Sequence, residues 1–443
     1  MLNENIAAIS TALSASGVAV IRISGDSPLS IAEKMFTPVG KTGVSDFEPY
    51  KMYVGEIHAD GFNDFGMCVY FKGPKSFTGE DVVEFHSHGG VAITRGILKK
   101  ILSLGARLAT NGEFTKRAFM NGKLSLSSAE GLIDMINSES ISGVKAGYYL
   151  YREKLTDEIN RLQDIITDTL SQIDCDMDFP EEDLEKSSTE KVKKDLESVI
   201  SGIDALLKTY RTGRTLKNGV SVAIVGKPNT GKSSLLNALL DYEKAIVSDV
   251  AGTTRDIVEG SIEIGGVRFN FFDTAGIRES GDKIEEIGVS LSKRVLEQSD
   301  LILFLMDATA IDGEDDKIFE LVKDKNLIVI VNKTDKAKTL DDRADVYLSV
   351  LYRENLDKLK TLMFDKCIGV DLNGDFLCEE RHFEALTRAK DKFTSALNGI
   401  SLVSLDILAI DIKDGWDALG EISGRTATED IISNIFAKFC VGK

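Results

Sequence analysis

The chain has 443 residues, of which 43% are hydrophobic and 28% are charged, and its formal net charge is −18. This length allows roughly three domains, and the composition is that of an ordinary globular protein. The apolar runs stay below the roughly 20 residues that a membrane-spanning helix needs, and the N-terminal residues do not read as a secretory leader. The acidic surplus argues against a surface coated with Lys and Arg for unspecific nucleic-acid binding. We therefore expect a cytoplasmic protein that does not span a membrane.

The first 118 residues combine several strands with little helix. β-like runs at Val18–Ser24, Met67–Phe71 and Val82–Phe85 are separated by Gly-rich turns, and one helix is expected at Ala92–Leu104. This pattern predicts an α+β N-terminal domain over residues 1–118.

Residues 119–217 show helical periodicity. Apolar residues recur at helical spacing between Leu155 and Ile173. The acidic segment Asp174–Asp183, which contains Pro180, interrupts this pattern and indicates a connection between two long helices. The sequence therefore predicts a helical domain whose first part covers residues 119–217.

The next segment, residues 218–371, reads as an α/β unit. Its strand-like runs are Val220–Val225, Val258–Phe272 with a turn at Gly265-Gly266, Leu301–Met306, Leu327–Val331 and Val346–Val350. Helical patterns separate several of them, which predicts a mostly parallel sheet with one antiparallel ribbon. Since residues 372–443 are helical again, we expect one helical domain in two parts that carries this unit as an insertion. Two independent helical domains are the alternative.

The segment Gly226–Ser233 (GKPNTGKS) matches a phosphate-binding P-loop and lies between a predicted strand and a predicted helix. In such a loop the backbone amides and the helix N-terminus face the phosphates, the lysine reaches their oxygens, and the serine hydroxyl binds Mg²⁺. The residues expected to contact the nucleotide are Asn229, Thr230, Gly231, Lys232, Ser233 and Ser234, with Ser233 as a Mg²⁺ ligand.

Three further motifs follow in the order typical of guanine-nucleotide hydrolases. Thr253 and Thr254 are expected in the first switch, with Thr254 as a second Mg²⁺ ligand. Asp273-Thr274-Ala275-Gly276 ends the hairpin strand, where it would lie beside Mg²⁺ and the γ-phosphate. Asn332-Lys333-Thr334-Asp335 follows another strand, and the Asp335 carboxylate suits the N1 and N2 donors of guanine. The pattern predicts a Ras-like P-loop G domain with GTP as its substrate.

Two positions depart from the common G-domain pattern. Ser349-Val350-Leu351 stands where Ser-Ala-Lys is usual in the last guanine-contacting loop. Ser349 is therefore the expected contact, and the departure bears on how tightly guanine is bound. Ile277 stands where many small GTPases carry a water-orienting Gln. An acid of the following segment must then orient the water, and the candidates are Glu279, Asp282, Glu285 and Glu286.

Asn229 is a further clue to mechanism. Its amide oxygen is a hard ligand, suited to a cation beside the β- and γ-phosphates that would replace the charge of an arginine finger. Arg255 as that finger, and Asn229 as a residue that only stabilises the loop, are the alternatives.

Several segments outside these motifs resemble the family of tRNA-modifying GTPases called MnmE or TrmE. They are Ile21–Gly25, Ser76–Asp81, His88–Gly90, Gly112–Phe119, Asn121–Leu124, Asp178–Pro180 and Phe439–Lys443. Their order and separations match over essentially the whole chain. The resemblance implies a multidomain α/β protein, with an α+β folate-binding-like N-terminal domain, a helical domain, and an inserted Ras-like P-loop G domain with a mostly parallel sheet.

The resemblance implies that the N-terminal domain dimerises and binds a reduced folate of the 5-formyl- or methylene-tetrahydrofolate type. Arg22, Glu84, Lys123 and Lys443 fall on the folate-contacting positions, although by residue type alone they read as surface charges. A carboxylate can accept from a pterin, and Arg or Lys can hold the anionic tail. Cys440 lies where a catalytic thiol has been suggested in the family, and a buried structural cysteine is the alternative.

The resemblance also implies activation by K⁺ and by G-domain dimerisation. Asn229, Ser248, Val250 and Thr253 match the K⁺ ligands, with Ser248 and Thr253 also counted in the GTP site, and Glu285 matches a switch II glutamate that acts through water. The implied reaction modifies C5 of the wobble uridine, position 34, of certain tRNAs, using a folate carbon together with the flavoprotein MnmG in a heterotetramer. The alternative is a ribosome-assembly GTPase switch, whose usual KH-type RNA module is not evident in the helical C-terminal part.

Overall fold

The computed structural model describes residues 4–178, 185–241, 258–272, 299–337, 341–368, 376–400 and 402–442. The chain divides into two compact units. The first consists of Met1–Ile133, Tyr149–Gly202 and Glu384–Lys443, and the second of Asp134–Tyr148 and Ile203–Phe383. Within the described ranges, no helix combines the length and the apolar character needed to cross a membrane.

The described strands fall into two sheets. In chain order they are β1 (Ile6–Ile9), β2 (Ser16–Gly25), β3 (Phe36–Pro38), β4 (Met52–Ala59), β5 (Phe62–Phe71), β6 (Asp81–Gly89), β7 (Arg107–Leu108), β8 (Val220–Val225), β9 (Val258–Ile264), β10 (Val267–Phe272), β11 (Leu301–Asp307), β12 (Leu327–Asn332) and β13 (Val346–Tyr347). The first seven form one sheet and the last six form the other.

Along the chain, the described helices lie between and after these strands, and they make up most of the middle and the end of the chain. They are α1 (Pro28–Glu33), α2 (Val91–Ser103), α3 (Glu113–Met120), α4 (Leu126–Asn137), α5 (Ile141–Tyr151), α6 (Lys154–Asp178), α7 (Glu185–Asn218), α8 (Lys232–Asp241), α9 (Gly313–Val322), α10 (Leu356–Cys367), α11 (Glu380–Gly399), α12 (Leu405–Ser423) and α13 (Glu429–Phe436). A short 3₁₀ turn, Val44–Asp46, lies between β3 and β4.

The sheet of the first unit has the order β3-β4-β5-β6-β2-β1-β7. Neighbouring strands are antiparallel except for the short parallel pair of β1 and β7. Ile21 and Ile23 on β2 and Phe85 on β6 share a buried cluster with Ile97 and Ile101 of α2. Because side chains alternate between the faces of a strand, Arg22 and Glu84 lie on the opposite face, directly across from each other in the register.

The helix α6 shows why the middle of the chain reads as helical. Leu155, Ile159, Leu162 and Ile166 are fully buried at spacings of three and four residues, which places them on one face. Trp416 of α12 donates from its indole nitrogen to the Thr167 hydroxyl at 3.1 Å, so the two helices are joined by polar contacts as well as by packing.

The sheet of the second unit has the order β13-β12-β11-β8-β10-β9. All neighbours are parallel except the β9–β10 hairpin, as the sequence predicted. Both faces of the sheet are covered: alternate β11 residues join two different buried clusters, Leu303 on one side and Phe304 on the other. Burial on both faces explains why β11 and β12 are continuous apolar runs.

The sequence misplaced some boundaries. The helix α6 continues to Asp178 and thus includes half of Asp174–Asp183, because acids are tolerated on an exposed helical surface. Residues 1–118 were expected to hold one helix, whereas α1 and the start of α3 also lie there. The strand expected at Val346–Val350 has only two residues in the sheet, since the chain turns at Ser349, which pairs with Glu354 instead.

Candidate functional site

The P-loop lies at the carboxyl edge of the second sheet. It follows β8, which pairs in parallel with β11 on one side and β10 on the other, and it leads into α8 at Lys232. Parallel strands place their following loops at the same edge of a sheet, so the loops after β8, β11 and β12 meet there. The described nucleotide motifs therefore converge on one place.

The backbone of the P-loop requires its glycines. Gly226 and Gly231 have φ values of +152° and +101°, which side chains rarely adopt. A Cβ atom at Gly226 would lie 2.2 Å from the Leu305 carbonyl oxygen, and one at Gly231 would lie 2.5 Å from Asn332 Nδ2. Asn229 also has a positive φ, +64°, and Asn tolerates this conformation better than most residues. Such turns direct successive amides into a concave, anion-binding surface.

The lysine of the P-loop folds back over the loop. Lys232 Nζ donates to the carbonyl oxygens of Gly226 at 2.9 Å and Lys227 at 2.7 Å. The buried Thr230 hydroxyl also donates to the Lys227 carbonyl, at 3.0 Å. Ser233 is exposed in the first turn of α8, and Ser234 beside it is exposed as well. An exposed hydroxyl at a helix N-terminus fits the Mg²⁺ and phosphate chemistry of the motif.

Two residues of the Asn-Lys-x-Asp motif hold the P-loop from the side. Asn332 is buried, donates from Nδ2 to the Thr230 carbonyl at 2.9 Å, and accepts the Val350 amide on Oδ1 at 3.2 Å. Lys333 Nζ donates to the Asn229 carbonyl at 2.7 Å and pairs with Asp307 at 2.6 Å. The motif thus ties three loops together as well as carrying Asp335.

Ser349 acts on Asp335. The fully buried Ser349 hydroxyl donates to Asp335 Oδ1 at 2.7 Å, and this bond orients the carboxylate that would read guanine. The Val350 amide is engaged by Asn332. The atypical Ser349-Val350-Leu351 loop therefore keeps the serine contact that positions Asp335, with Leu351 exposed.

Sequence reasoning missed two charged residues that shape this site, Asp307 and Lys227. Asp307 ends β11 and accepts from Lys333 and from Thr309. Burial alone would raise the pKa of Asp307, but the hydrogen bonds from Lys333 and Thr309 outweigh it, so the pKa lies below its usual value. An acid at the carboxyl end of an apolar parallel strand was a usable signal for Asp307. Nothing in the P-loop pattern singles out Lys227.

Asn229 now has a backbone reason for its identity. Its side chain is exposed, its φ is positive, and its carbonyl accepts from Lys333. Both interpretations of Asn229 stay predictions: the positive φ favours the loop-stabilising one, and the exposed amide group suits an ion ligand.

The first unit brings Arg22 and Glu84 together. Arg22 Nε donates to Glu84 Oε1 at 2.7 Å, and its guanidinium lies 5.6 Å and 5.7 Å from the ring centroids of Phe77 and Phe114. His86 Nε2 lies 3.4 Å from the other Glu84 oxygen. Burial alone would raise the pKa of Glu84, but the contacts with His86 and Arg22 lower it below its usual value. An ionised acceptor beside aromatic rings fits a flat heterocycle that carries N–H donors.

Two other predicted residues lie in the first unit. Lys123 Nζ donates to the Pro74 carbonyl at 2.8 Å, in the same β5–β6 connection that supplies Phe77. Cys440 is exposed, which contradicts the alternative of a buried structural cysteine; its role as a thiol stays a prediction. Its carbonyl accepts the Gly112 amide at 3.4 Å, and Val441 forms a β-bridge with Asn111, which anchors the segment after α13 beside the start of α3.

The remaining predicted site residues lie outside the described residues. They are Ser248, Val250, Thr253, Thr254, Arg255, Asp273, Thr274, Ala275, Gly276, Ile277, Glu279, Asp282, Glu285, Glu286 and Lys443.

Comparison with known proteins covers the whole chain. The family model for the N-terminus of the GTP-binding protein TrmE matches residues 5–123, and the model for the MnmE helical domain matches residues 126–440. The chain is 38% identical to the tRNA modification GTPase MnmE of Caldicellulosiruptor saccharolyticus, with 99% of each chain covered. It is 39% identical to that of Desulforamulus reducens over 100% of both chains. It is 38% identical to that of Lactobacillus helveticus, with 99% of this chain and 98% of the relative covered.

Similarity along the full length, and not over the G-domain motifs alone, decides between the two functional hypotheses. A ribosome-assembly switch would share the P-loop region without the N-terminal and helical domains. These two domains match their own family models, and the P-loop, Asn332 and Asp335 form one connected site in the second unit. The chain belongs to the MnmE family of tRNA modification GTPases.

Proposed function

We propose that this chain is a K⁺-dependent GTPase that modifies C5 of the wobble uridine of certain tRNAs, together with the flavoprotein MnmG and a folate one-carbon unit. Family membership makes it a GTPase of tRNA modification that uses GTP and Mg²⁺. The observation that carries the proposal is the network joining the P-loop to the guanine-reading motif: Asn332 to Thr230 at 2.9 Å, and Ser349 to Asp335 at 2.7 Å.

In the nucleotide site, we assign phosphate binding to the P-loop residues and base recognition to the Asn-Lys-x-Asp motif. The phosphate residues are Asn229, Thr230, Gly231, Lys232, Ser233 and Ser234, with Thr274, Ala275 and Gly276 beside the γ-phosphate. Asp335 would accept from guanine, while Asn332, Lys333 and Ser349 hold it and the P-loop in place. The bonds from Asn332 and Lys333 support this division, because they hold carbonyl oxygens of the loop, and a loop of this kind presents its amides to an anion.

Cation chemistry is assigned to residues around the phosphates. Mg²⁺ would be held by Ser233 and Thr254, with Asp273 nearby, and K⁺ by Asn229, Ser248, Val250 and Thr253. These cations would supply positive charge where charge develops on the transferred phosphoryl group. Glu285 would orient the attacking water through a second water, since Ile277 has no polar group.

The second proposed site lies in the N-terminal domain. Glu84 would accept hydrogen bonds from a pterin, and Arg22, Lys123 and Lys443 would hold its anionic parts. The ion pair of Arg22 and Glu84 supports this, since it keeps the carboxylate ionised and oriented beside Phe77. When bound, a reduced folate supplies the carbon that is transferred. The exposed Cys440 is available as a thiol near α3.

The domain assignment is also part of the proposal. We propose an N-terminal folate-binding and dimerisation domain over residues 1–118, a helical domain over residues 119–217 and 372–443, and an inserted G domain over residues 218–371. The chain would form a homodimer and assemble with MnmG into a heterotetramer. A tRNA substrate favours the cytoplasm as its location.

One complementation experiment tests the proposal. A strain that lacks its own family member is complemented with the wild-type chain, with Lys232→Ala or with Glu84→Gln, and tRNA nucleosides are measured by mass spectrometry. We expect the wild type to restore the modified wobble uridine and both variants to fail. Glu84→Gln should retain normal GTP turnover, which separates the folate site from the nucleotide site. Unmodified wobble uridines with the wild-type chain would rule out the proposed reaction.

A further inference from the structure

Lys227, the second residue of the P-loop, directs its side chain to the connection between β11 and α9. Its side chain is only 10% exposed, although most lysines lie in solvent. The Nζ atom donates to the Ala310 carbonyl at 2.6 Å and pairs with Asp312 at 2.9 Å and Asp315 at 2.8 Å. All three partners belong to the β11–α9 connection or to the first turn of α9.

The partners of Lys227 are themselves fixed. Asp312 and Asp315 form the capping box of α9, in which Asp312 accepts the Glu314 amide at 2.9 Å and Asp315 accepts the Asp312 amide at 3.0 Å. Capping of this kind fixes the first turn of a helix. Lys227 is therefore attached to a rigid helix end.

The electrostatics make this attachment specific. Asp315 is fully buried, and its Oδ1 has no hydrogen-bond partner among the described residues. A buried carboxylate is costly unless a cation stands beside it. The Lys227 ammonium, 2.8 Å from this carboxylate and 2.9 Å from Asp312, is the cation that stands beside it at the α9 end.

Two lysines consequently hold the P-loop, one that belongs to it and one from another loop. Lys333 reaches in from the loop after β12 and holds the Asn229 carbonyl at 2.7 Å. Lys227 reaches out from the start of the loop to the N-terminus of α9. The Lys227 carbonyl accepts from both Thr230 and Lys232, so the same residue joins the outer attachment to the inner curve of the loop.

We infer that Lys227 is a positioning residue that anchors the P-loop to the capping carboxylates of α9 and thereby sets nucleotide affinity. Because its side chain does not face the phosphates, it acts equally on the ground state and the transition state. Loss of such an interaction weakens binding and raises KM, with kcat little changed. The inference rests on the proposed nucleotide site.

Titration of the full chain with a fluorescent GDP analogue, combined with steady-state GTP turnover, tests the anchor. Loss of a hydrogen-bonded charge contact should weaken nucleotide binding roughly tenfold in Lys227→Met. We expect kcat within about twofold of the wild type, as uniform binding loss requires. Lys227→Arg, which keeps charge and donors, should restore affinity. Lys323→Met is the matched control, because Lys323 forms an exposed ion pair with Glu320 after the same helix.

A second variant covers the case in which Lys227→Met does not fold. Lys227→Met combined with Asp315→Asn removes both charges, leaves no unpaired buried carboxylate, and should show the same weakening. Wild-type affinity in either folded variant overturns the anchor, even if its melting temperature is lowered, because a purely structural contact would change stability alone. If the wild type and Lys323→Met bind no GDP, the nucleotide site itself is refuted, which is a different result.

Discussion

At the scale of single residues, Asn229 is the position where backbone conformation and chemistry overlap. Its φ of +64° is a reason for Asn that has nothing to do with ions. Replacement by Ala would therefore confuse backbone strain with loss of a ligand. Glycine adopts positive φ without strain and lacks the side chain that carries the amide group.

We expect Asn229→Gly to lose the stimulation of GTP turnover by K⁺. If the amide oxygen holds a cation beside the phosphates, its removal should lower kcat in K⁺ by roughly tenfold or more, toward the rate in Na⁺. Nucleotide affinity should change little, since the backbone conformation is preserved. The measurement is kcat in K⁺ and in Na⁺ for the wild type and the variant. A variant that keeps the full difference between the two ions would leave Asn229 with a loop role only.

At the scale of elements, the carboxyl edge of the second sheet builds the nucleotide site. The loops after β8, β11 and β12 supply the P-loop, Asp307 and the Asn-Lys-x-Asp motif, and the early end of β13 places Ser349 against Asp335. The short β13 is therefore part of the site, because a strand continuing through Ser349 would turn its hydroxyl elsewhere.

We expect Ser349→Ala to weaken GDP binding roughly tenfold, since it removes a hydrogen bond to a carboxylate. The Asp335 carboxylate would lose its orientation toward guanine, while phosphate contacts stay intact. Calorimetric titration with GDP measures the effect. Ser395→Ala is the matched control, because the Ser395 hydroxyl also donates to an aspartate, Asp411, at 2.7 Å in the first unit. Equal GDP affinity in Ser349→Ala and Ser395→Ala would contradict the orienting role.

At the scale of the whole molecule, one partly buried ionic cluster joins three distant parts of the chain. Lys217, at the end of α7, pairs with Asp134 of α4 at 2.8 Å and with Glu379, just before α11. One lysine thus serves two carboxylates. Burial, followed by repulsion from Glu379, raises the pKa of Asp134 to about 8, although Lys217 opposes the shift. The crowding of two carboxylates around one lysine therefore makes Asp134 easier to protonate than an ordinary aspartate.

This raised pKa predicts a stability that falls as pH rises. A carboxyl whose folded pKa is raised contributes its full stability below the unfolded value of about 4 and loses it as pH rises toward about 8. Asn mimics the neutral acid, so Asp134→Asn should remove this slope and gain a few kcal/mol at pH 8 relative to the wild type. Urea unfolding at several pH values measures it. Asp60→Asn, at an exposed ion pair with Lys100, is the control, and an unchanged slope in Asp134→Asn would refute the raised pKa of Asp134.

The sequence by itself identified the P-loop, the order of the nucleotide motifs along the chain, and the mostly parallel sheet. It could do so because Gly226–Ser233 and Asn332–Asp335 are short contiguous motifs, and because sheets buried on both faces leave continuous apolar runs. Helical periodicity likewise predicted α6 from Leu155 to Ile173. Such patterns can be recognised from the sequence because they consist of residues that are close together in the chain.

Only the tertiary structure decided which side chains meet. The ion pair of Arg22 and Glu84 spans 62 residues, and Lys227 reaches Asp312 and Asp315 more than 80 residues away. The exposure of Cys440 and the early end of β13 were equally invisible in sequence. These features depend on strand register and on which loops share a sheet edge. Both are set by packing between distant segments, and no local pattern encodes that packing.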